Sequence, residues 1–280
     1  MKILPVASDS LGVRSMATYI ETKDCKVFID PSAALGPSRY GLIPTDQEIR
    51  ALDQTKQEIA KIVDRCDVII ISHYHYDHYD PSEKFYIGKK VFAKDIENNI
   101  NKSQKERGTD FKNIIENQCD LEYSDDSKHQ IGNTKIVFSP PFFHGPENIR
   151  LGYVIMATID DGEKKILHSS DVQGPVTENA KNYIMDQKPD LLIMDGPPTN
   201  FLGWRFSKQS LQHASDNLVE IIKKLGCEVI LDHHLLRDLK YLEIFSEPYK
   251  VGKEKVKTFA EYLGKENNTL EAHRKELWGR

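Results

Sequence analysis

The apolar tetrad Val68-Ile69-Ile70-Ile71 runs straight into Ser72-His73-Tyr74-His75-Tyr76-Asp77-His78-Tyr79-Asp80-Pro81. The tetrad reads as a buried strand, so a dense set of imidazoles and carboxylates is delivered at its end. In extended backbone, residues two apart project the same way, so His73, His75 and Asp77 can converge. A turn at Asp77 brings His78 to an adjacent point, and one loop can then feed two metal positions. A solvated histidine-rich loop is the plain alternative for a lone His-x-His, but four potential ligands in six residues tell against it. Imidazole and carboxylate donors without thiolate suit zinc, with iron and manganese as competitors, and an incomplete protein shell leaves room for water.

The rest of the chain supplies a mixed α/β scaffold. Residues 16–22 and 25–30 bracket Lys23-Asp24 in a hairpin pattern. Pro31, Gly36, Pro37, Gly41 and Pro44 then mark a loop that looks like a mobile flap. Thr45 or Asp46 can cap a helix running to about residue 64, with Ile49, Leu52, Ile59, Ile62 and Val63 on its apolar face. Further strands are expected at 87–93, 134–139, 151–159, 165–170, 190–195 and 227–232, with a turn at 128–133. Helices are expected near 94–105, 177–186, 207–225, 251–264 and 269–277. No repeat or Gly/Ser linker marks a boundary, so residues 1–280 read as one domain with a helical tail over about 240–280.

Composition excludes several classes. At 39% hydrophobic and 29% charged the chain is an ordinary globular one, and its apolar runs are far short of the roughly 20 residues of a membrane span. Met1-Lys2-Ile3-Leu4-Pro5 has no long apolar region with a cleavage site, so a cytoplasmic location is expected. Cys25, Cys66, Cys119 and Cys227 form no C-x-x-C pair and read as buried reduced thiols. A net charge of −5 gives no global attraction to polyanions. A small-molecule substrate is therefore expected ahead of RNA, with a local basic groove still compatible.

The run at 73–78 resembles the His-x-His-x-Asp-His signature of the metallo-β-lactamase superfamily, and the family's other motifs follow in order. They match Asp30 in Val27-Phe28-Ile29-Asp30-Pro31, His144 in Phe142-Phe143-His144-Gly145, Asp171 in Leu167-His168-Ser169-Ser170-Asp171, and His233 in Leu231-Asp232-His233-His234. The resemblance covers residues 3 to about 237. It implies a four-layer αββα sandwich with two divalent metal ions, zinc first, at the edge where these strand ends meet. His73, His75 and His144 would hold one ion, and Asp77, His78 and His233 the other, with Asp171 bridging and Asp30 orienting a ligand loop. Singly, His144 could be a satisfied loop histidine and Asp171 a helix cap. Adjacent residues on a strand point oppositely, so only one of His233 and His234 is expected to enter the site, and His233 fits the pattern. His168 is a weaker substitute ligand or a structural or substrate-contacting neighbour. His129, His213 and His273 have no companions and read as surface residues.

What the resemblance implies chemically is hydrolysis by a metal-activated water, with Asp77 as the catalytic residue that orients it or shuttles its proton. The family's substrates include β-lactams, lactones, thioesters and phosphodiesters. Oxygen or nitric oxide reduction at di-iron ranks low, because members of that kind typically carry Glu where this chain has His75. A compact RNA or nucleotide phosphodiesterase is the alternative that Arg237 and Leu231-Asp232-His233 fit. A metal-binding scaffold or sensor without turnover is the alternative of a different class. Arg14, Arg39, Tyr40, Arg150 and Arg237 are candidate substrate contacts, with solvated surface the plain alternative for each. Departures at Asp9 to Ser15, at Asp195-Gly196-Pro197-Pro198 and in the tail look like a prokaryotic branch, with archaea as its expected source.

Overall fold

The computed structural model describes residues 1–280. Its first sheet contains β1 (Lys2–Ser8), β2 (Met16–Glu21), β3 (Lys26–Ile29), β4 (Val68–Ile71), β5 (Lys90–Ala93) and β6 (Asp120–Tyr123), in that spatial order. The first two joins are antiparallel and the remainder parallel. Parallel neighbours need crossovers: α1 (Asp46–Val63) joins β3 to β4, α2 (Lys102–Ile115) joins β5 to β6, and the loop after β4 leads to β5 without a helix. Then come β7 (Lys128–Ile131), β8 (Thr134–Phe138) and a separate ribbon of β9 (Phe142–Phe143) and β10 (Tyr153–Val154). They are followed by β11 (Ala157–Asp160), β12 (Lys165–His168), α3 (Glu178–Gln187), β13 (Leu191–Asp195), α4 (Lys208–Leu225) and β14 (Glu228–Asp232). Four short helices, α5 (Tyr241–Ile244), α6 (Ser246–Gly252), α7 (Phe259–Tyr262) and α8 (Arg274–Leu277), and β15 (Val256–Lys257) complete the chain. The second sheet is ordered β15-β14-β13-β12-β11-β8-β7.

Period-two alternation decides the layers. Along β4, Val68 and Ile70 enter the core shared by both sheets, while Ile69 and Ile71 face the outer core with Ile59, Ile62 and Val63 of α1. Along β13, Leu191 and Ile193 enter the shared core, and Leu192 and Met194 pack with Leu218 and Ile221 of α4. Helix, sheet, sheet and helix therefore stack, as the αββα expectation requires. The start of α1 is fixed by Thr45 and Glu48, whose side chains each bond the other's backbone N–H. No helix of the structure is long and apolar enough to cross a membrane.

Several elements differ from the sequence expectation. Strand β1 is unannounced because Pro5 interrupts it; it lies at the sheet edge, where a missing N–H is tolerated. The strand expected over 151–159 is two pieces, since Ile155 donates to Ser72 O and Met156 to Ser139 Oγ. The helix expected at 94–105 begins only after Asn101, whose side chain caps Gln104 N, while Asp95 turns the preceding segment by accepting from Glu97 N. The segment 251–264 forms β15, paired with β14, and α7, started by a capping box at Thr258 and Glu261. His129 is half-buried against Phe92, at a ring separation of 4.2 Å, rather than a free surface residue.

The expected flap at 31–45 is tied down. Arg14 pairs with Ala34 through backbone bonds, Ser32 Oγ donates to Tyr76 O, and Arg39 Nη2 donates to Arg237 O. Residues of the tail complete the clamp: Tyr40 Oη donates to Ala272 O and Trp278 Nε1 to Ile43 O.

Candidate metal centre

Five strand ends and the β9–β10 ribbon meet at one edge. The end of β4 delivers His73, His75, Asp77 and His78, β9 delivers His144, β12 delivers Asp171, and β14 delivers His233 and His234. At the ends of β1 and β13 stand Asp9 and Asp195. Four residues here hold left-handed backbone without being glycine: Asp30 (φ 53°), Ser170 (φ 55°), Gln173 (φ 58°) and His233 (φ 54°). Such conformations cost on the order of 1 kcal/mol or more and persist where surrounding bonds over-determine them. Gly145, at φ 112°, cannot be replaced freely, because a Cβ there would lie 2.4 Å from Gln173 Oε1.

One carboxylate oxygen, Asp171 Oδ2, is ringed by five imidazole Nε2 atoms. His78 and His144 lie at 3.2 Å, His233 at 3.4 Å, and His73 and His234 at 3.8 Å. Ligand atoms of His73, His75, His144 and Asp171 all lie within 4.8 Å of one another, and so do those of Asp77, His78 and His233. Asp171, His233 and His234 form a third such group. Both 233 and 234 enter, contrary to the strand argument, because they lie on a 3-10 turn and the left-handed His233 rotates its neighbour inward.

The outer nitrogens are held by carboxylates. His78 Nδ1 lies 2.8 Å from Asp30 Oδ2, His233 Nδ1 2.8 Å from Asp9 Oδ2, and His234 Nδ1 2.8 Å from Asp195 Oδ2. This support fixes ring orientation and leaves Nε2 facing inward. His73 Nδ1 rests instead on Ser72 Oγ and Ser170 Oγ at 3.1 and 3.2 Å. Asp30 also accepts from Ser72 N and Ser72 Oγ, so it fastens the ligand loop as well as its histidine. His168 is not part of the cluster: Nε2 lies 3.0 Å from Met16 O and Nδ1 accepts from Ser170 N, so it braces β2 and the 170 turn.

Buried Nε2 atoms of His73, His78 and His144, and Oδ1 of Asp171, have no hydrogen-bond partner. Buried polar atoms are rarely left so, and convergent orphans of this chemistry fit a cation. Burial, with repulsion from His144, brings His75 down to about 3, which leaves a neutral imidazole. Burial also opposes charge on His78, yet Asp171 and Asp30 hold it well above the usual histidine range. At Asp77 burial is outweighed by His78, His233 and Arg237, which keep the carboxyl ionised far below its ordinary range.

The cluster forms the floor of a cleft of about 990 Å³. Among the candidate contacts, Arg14, Arg150 and Arg237 line it, whereas Arg39 and Tyr40 do not. Arg107 and Arg205 line it too, and sequence separation concealed them. Asp9 and Asp195 were equally hidden as partners, although both lie in segments that depart from the familiar pattern.

Two facing sheets between helices, with a His and Asp cluster at the strand ends, give the chain the αββα fold of the metallo-β-lactamases. Similar solved structures include a possible metal-dependent hydrolase from Veillonella parvula, at TM-score 0.57 and 11% identity over 88% of this chain and 94% of that one. Another is isothiocyanate hydrolase from Delia radicum gut bacteria, at TM-score 0.57 and 14% identity over 91% and 95%. At such identities the likeness is one of fold. No family model matches the chain. It is 42% identical over 290 residues to the UPF0282 protein of the archaeon Methanocaldococcus jannaschii, spanning 99% of this chain and 96% of that one. The chain belongs to the UPF0282 family, in agreement with the archaeal branch expected from its departures.

Proposed function

We propose that the chain is a metal-dependent hydrolase whose centre takes two divalent cations, zinc by the nature of its donors, with iron and manganese as competitors. His73, His75 and His144 would hold one and Asp77, His78 and His233 the other, with Asp171 within reach of both sets. The observation that carries this reading is the ring of imidazole nitrogens around Asp171 Oδ2, several of them buried without a partner. His233 takes the ligand role in preference to His234 because its Nε2 approaches both Asp171, at 3.4 Å, and Asp77, at 3.6 Å. When bound, the cations supply Lewis acidity and lower the pKa of a water from 15.7 toward about 7.

The chain's own groups do the rest. Asp77, 17% exposed at the cleft wall and held ionised, accepts a hydrogen bond from the attacking water and so orients it. His234 faces the cleft with its ring fixed by Asp195 and positions the substrate. Arg237, buried against Asp9, keeps its guanidinium 3.8 Å from Asp77 Oδ2 and helps to hold that carboxylate ionised. The four cysteines are free, which suits the reducing cytoplasm.

Metal content by elemental analysis, followed by bis-p-nitrophenyl phosphate, a lactone, a thioester, a β-lactam and an isothiocyanate, tests the reading. Two cations per chain and turnover of at least one of these are expected, and Asp77→Ala removes turnover more completely than it removes metal. Two cations with no turnover of any would favour a metal-binding or sensor protein and overturn the hydrolase reading.

A further inference from the structure

The charge of the cleft runs against that of the chain. The protein carries a net −5, yet five arginines line the cleft, and its only lining carboxylates are Asp77 and Asp171 of the metal cluster. Two of the five are already matched. Arg14 gives Nε and Nη2 to the two oxygens of Glu271, each at 2.6 Å, and Arg237 gives Nε to Asp9. Arg107, Arg150 and Arg205 have no ion pair with any carboxylate. They come from three separate places, α2, the turn before β10 and the segment after β13, so no single charged face of one element accounts for them.

Unmatched guanidinium groups around one concavity repel one another and are relieved by an anion presenting several oxygens, which their fork geometry fits better than it fits a neutral ester. Two of the three also lie on aromatic rings. The Arg107 guanidinium is 4.7 Å from the ring centre of Tyr76, which is 52% exposed, and that of Arg205 is 4.1 Å from the ring of Trp204, which is 71% exposed. Phe201, edge-to-face with Trp204 at 5.8 Å, lines the cleft itself, as does Tyr76. Exposed rings beside unpaired arginines form a platform for a flat base next to a phosphate.

We propose that the substrate is a small phosphoester anion bearing a flat ring, of the nucleotide class, with its phosphate held by Arg107, Arg150 and Arg205 and its ring on the aromatic rim. This rests on the hydrolase reading and adds the class of substrate to it. The volume of the cleft suits a ligand of that size, and the net charge of −5 counts against a polymer track.

Calorimetry on the full chain with adenosine 5′-monophosphate, adenosine and inorganic phosphate tests it. The monophosphate binds, adenosine binds at least about tenfold more weakly, and phosphate alone falls below the monophosphate. The triple variant Arg107→Ala, Arg150→Ala, Arg205→Ala loses at least about tenfold in affinity for the monophosphate while staying folded with its metal content unchanged, since the three side chains give up one bond to Tyr74 O and two exposed ring contacts but no ion pair. Equal binding of monophosphate and nucleoside, or a triple variant that binds as the wild type does, overturns the inference. The two readings fail separately. Metal-loaded protein that hydrolyses a lactone or thioester but neither binds the monophosphate nor cleaves bis-p-nitrophenyl phosphate sinks this inference alone. Binding through the arginines with no turnover of any ester sinks the hydrolase.

Discussion

Asp195 Oδ2 lies 2.8 Å from Nδ1 of His234, and the two oxygens of the same buried carboxylate accept the backbone N–H of Gln173. One side chain at the end of β13 thus fixes both a cleft-facing imidazole and the strained turn that follows Asp171. Its own carboxyl is pushed well above the usual range by burial and by the charge of Asp171.

Replacing Asp195 should therefore loosen the centre without touching a ligand. Asp195→Ala is expected to weaken zinc binding by about 10-fold to 100-fold, because its carboxylate also holds Gln173 N and with it the turn that sets Asp171. Competition with a chromophoric chelator measures this, and unchanged affinity would remove Asp195 from the account.

The histidines should separate by role. His144→Ala and His233→Ala are each expected to lose about one of two cations per chain, read by mass spectrometry of the native protein. His168→Ala should keep both, because its nitrogens serve Met16 and Ser170, while losing stability on the order of 1–3 kcal/mol through the unmet buried partners.

The convergence of these histidines and aspartates was legible because they sit where strands end, and strand ends show in sequence. The tetrad Val68 to Ile71 declared both its burial and the loop it launches, and Leu167 to Asp171 and Val229 to His233 repeated that grammar. What stayed hidden depends on backbone conformation or on distant pairing. That His234 also enters follows from the left-handed turn at His233, which no alternation rule contains. Asp9 meets His233 across 224 positions, and a lone Asp near the N-terminus gives no local sign of that contact. The apparent looseness of 31–45 was misleading for the same reason, since its partners Ala272 and Trp278 lie at the other end of the chain.

That clamp has a buried anchor. Arg274, with no exposed surface, gives Nη2 to Glu48 Oε1 at 2.7 Å and Nε to both oxygens of the same carboxylate. Removing one partner leaves the other charge buried and unpaired, so Arg274→Ala is expected to cost about 3–5 kcal/mol in urea unfolding. A loss below about 1 kcal/mol would show that the tail contributes little to holding the loop.

Acid should release the other tail contact. Opposing the effect of burial, Arg14 lowers Glu271 from its ordinary 4.5 to about 2. A depressed carboxyl stabilises the fold above its unfolded pKa, and that contribution fades as pH falls from about 4.5 through about 2. Glu271→Gln should therefore flatten the acid limb of stability between those values, by roughly 1–3 kcal/mol. An unchanged slope in pH-dependent urea unfolding would contradict the assignment.

The most direct test is a crystal of the zinc-loaded protein measured at the zinc absorption edge. The account predicts two anomalous peaks on either side of the Asp171 carboxylate, one beside His73, His75 and His144 and the other beside Asp77, His78 and His233. A cluster with no peak, or one whose single ion leaves Asp171 uncoordinated, would contradict it.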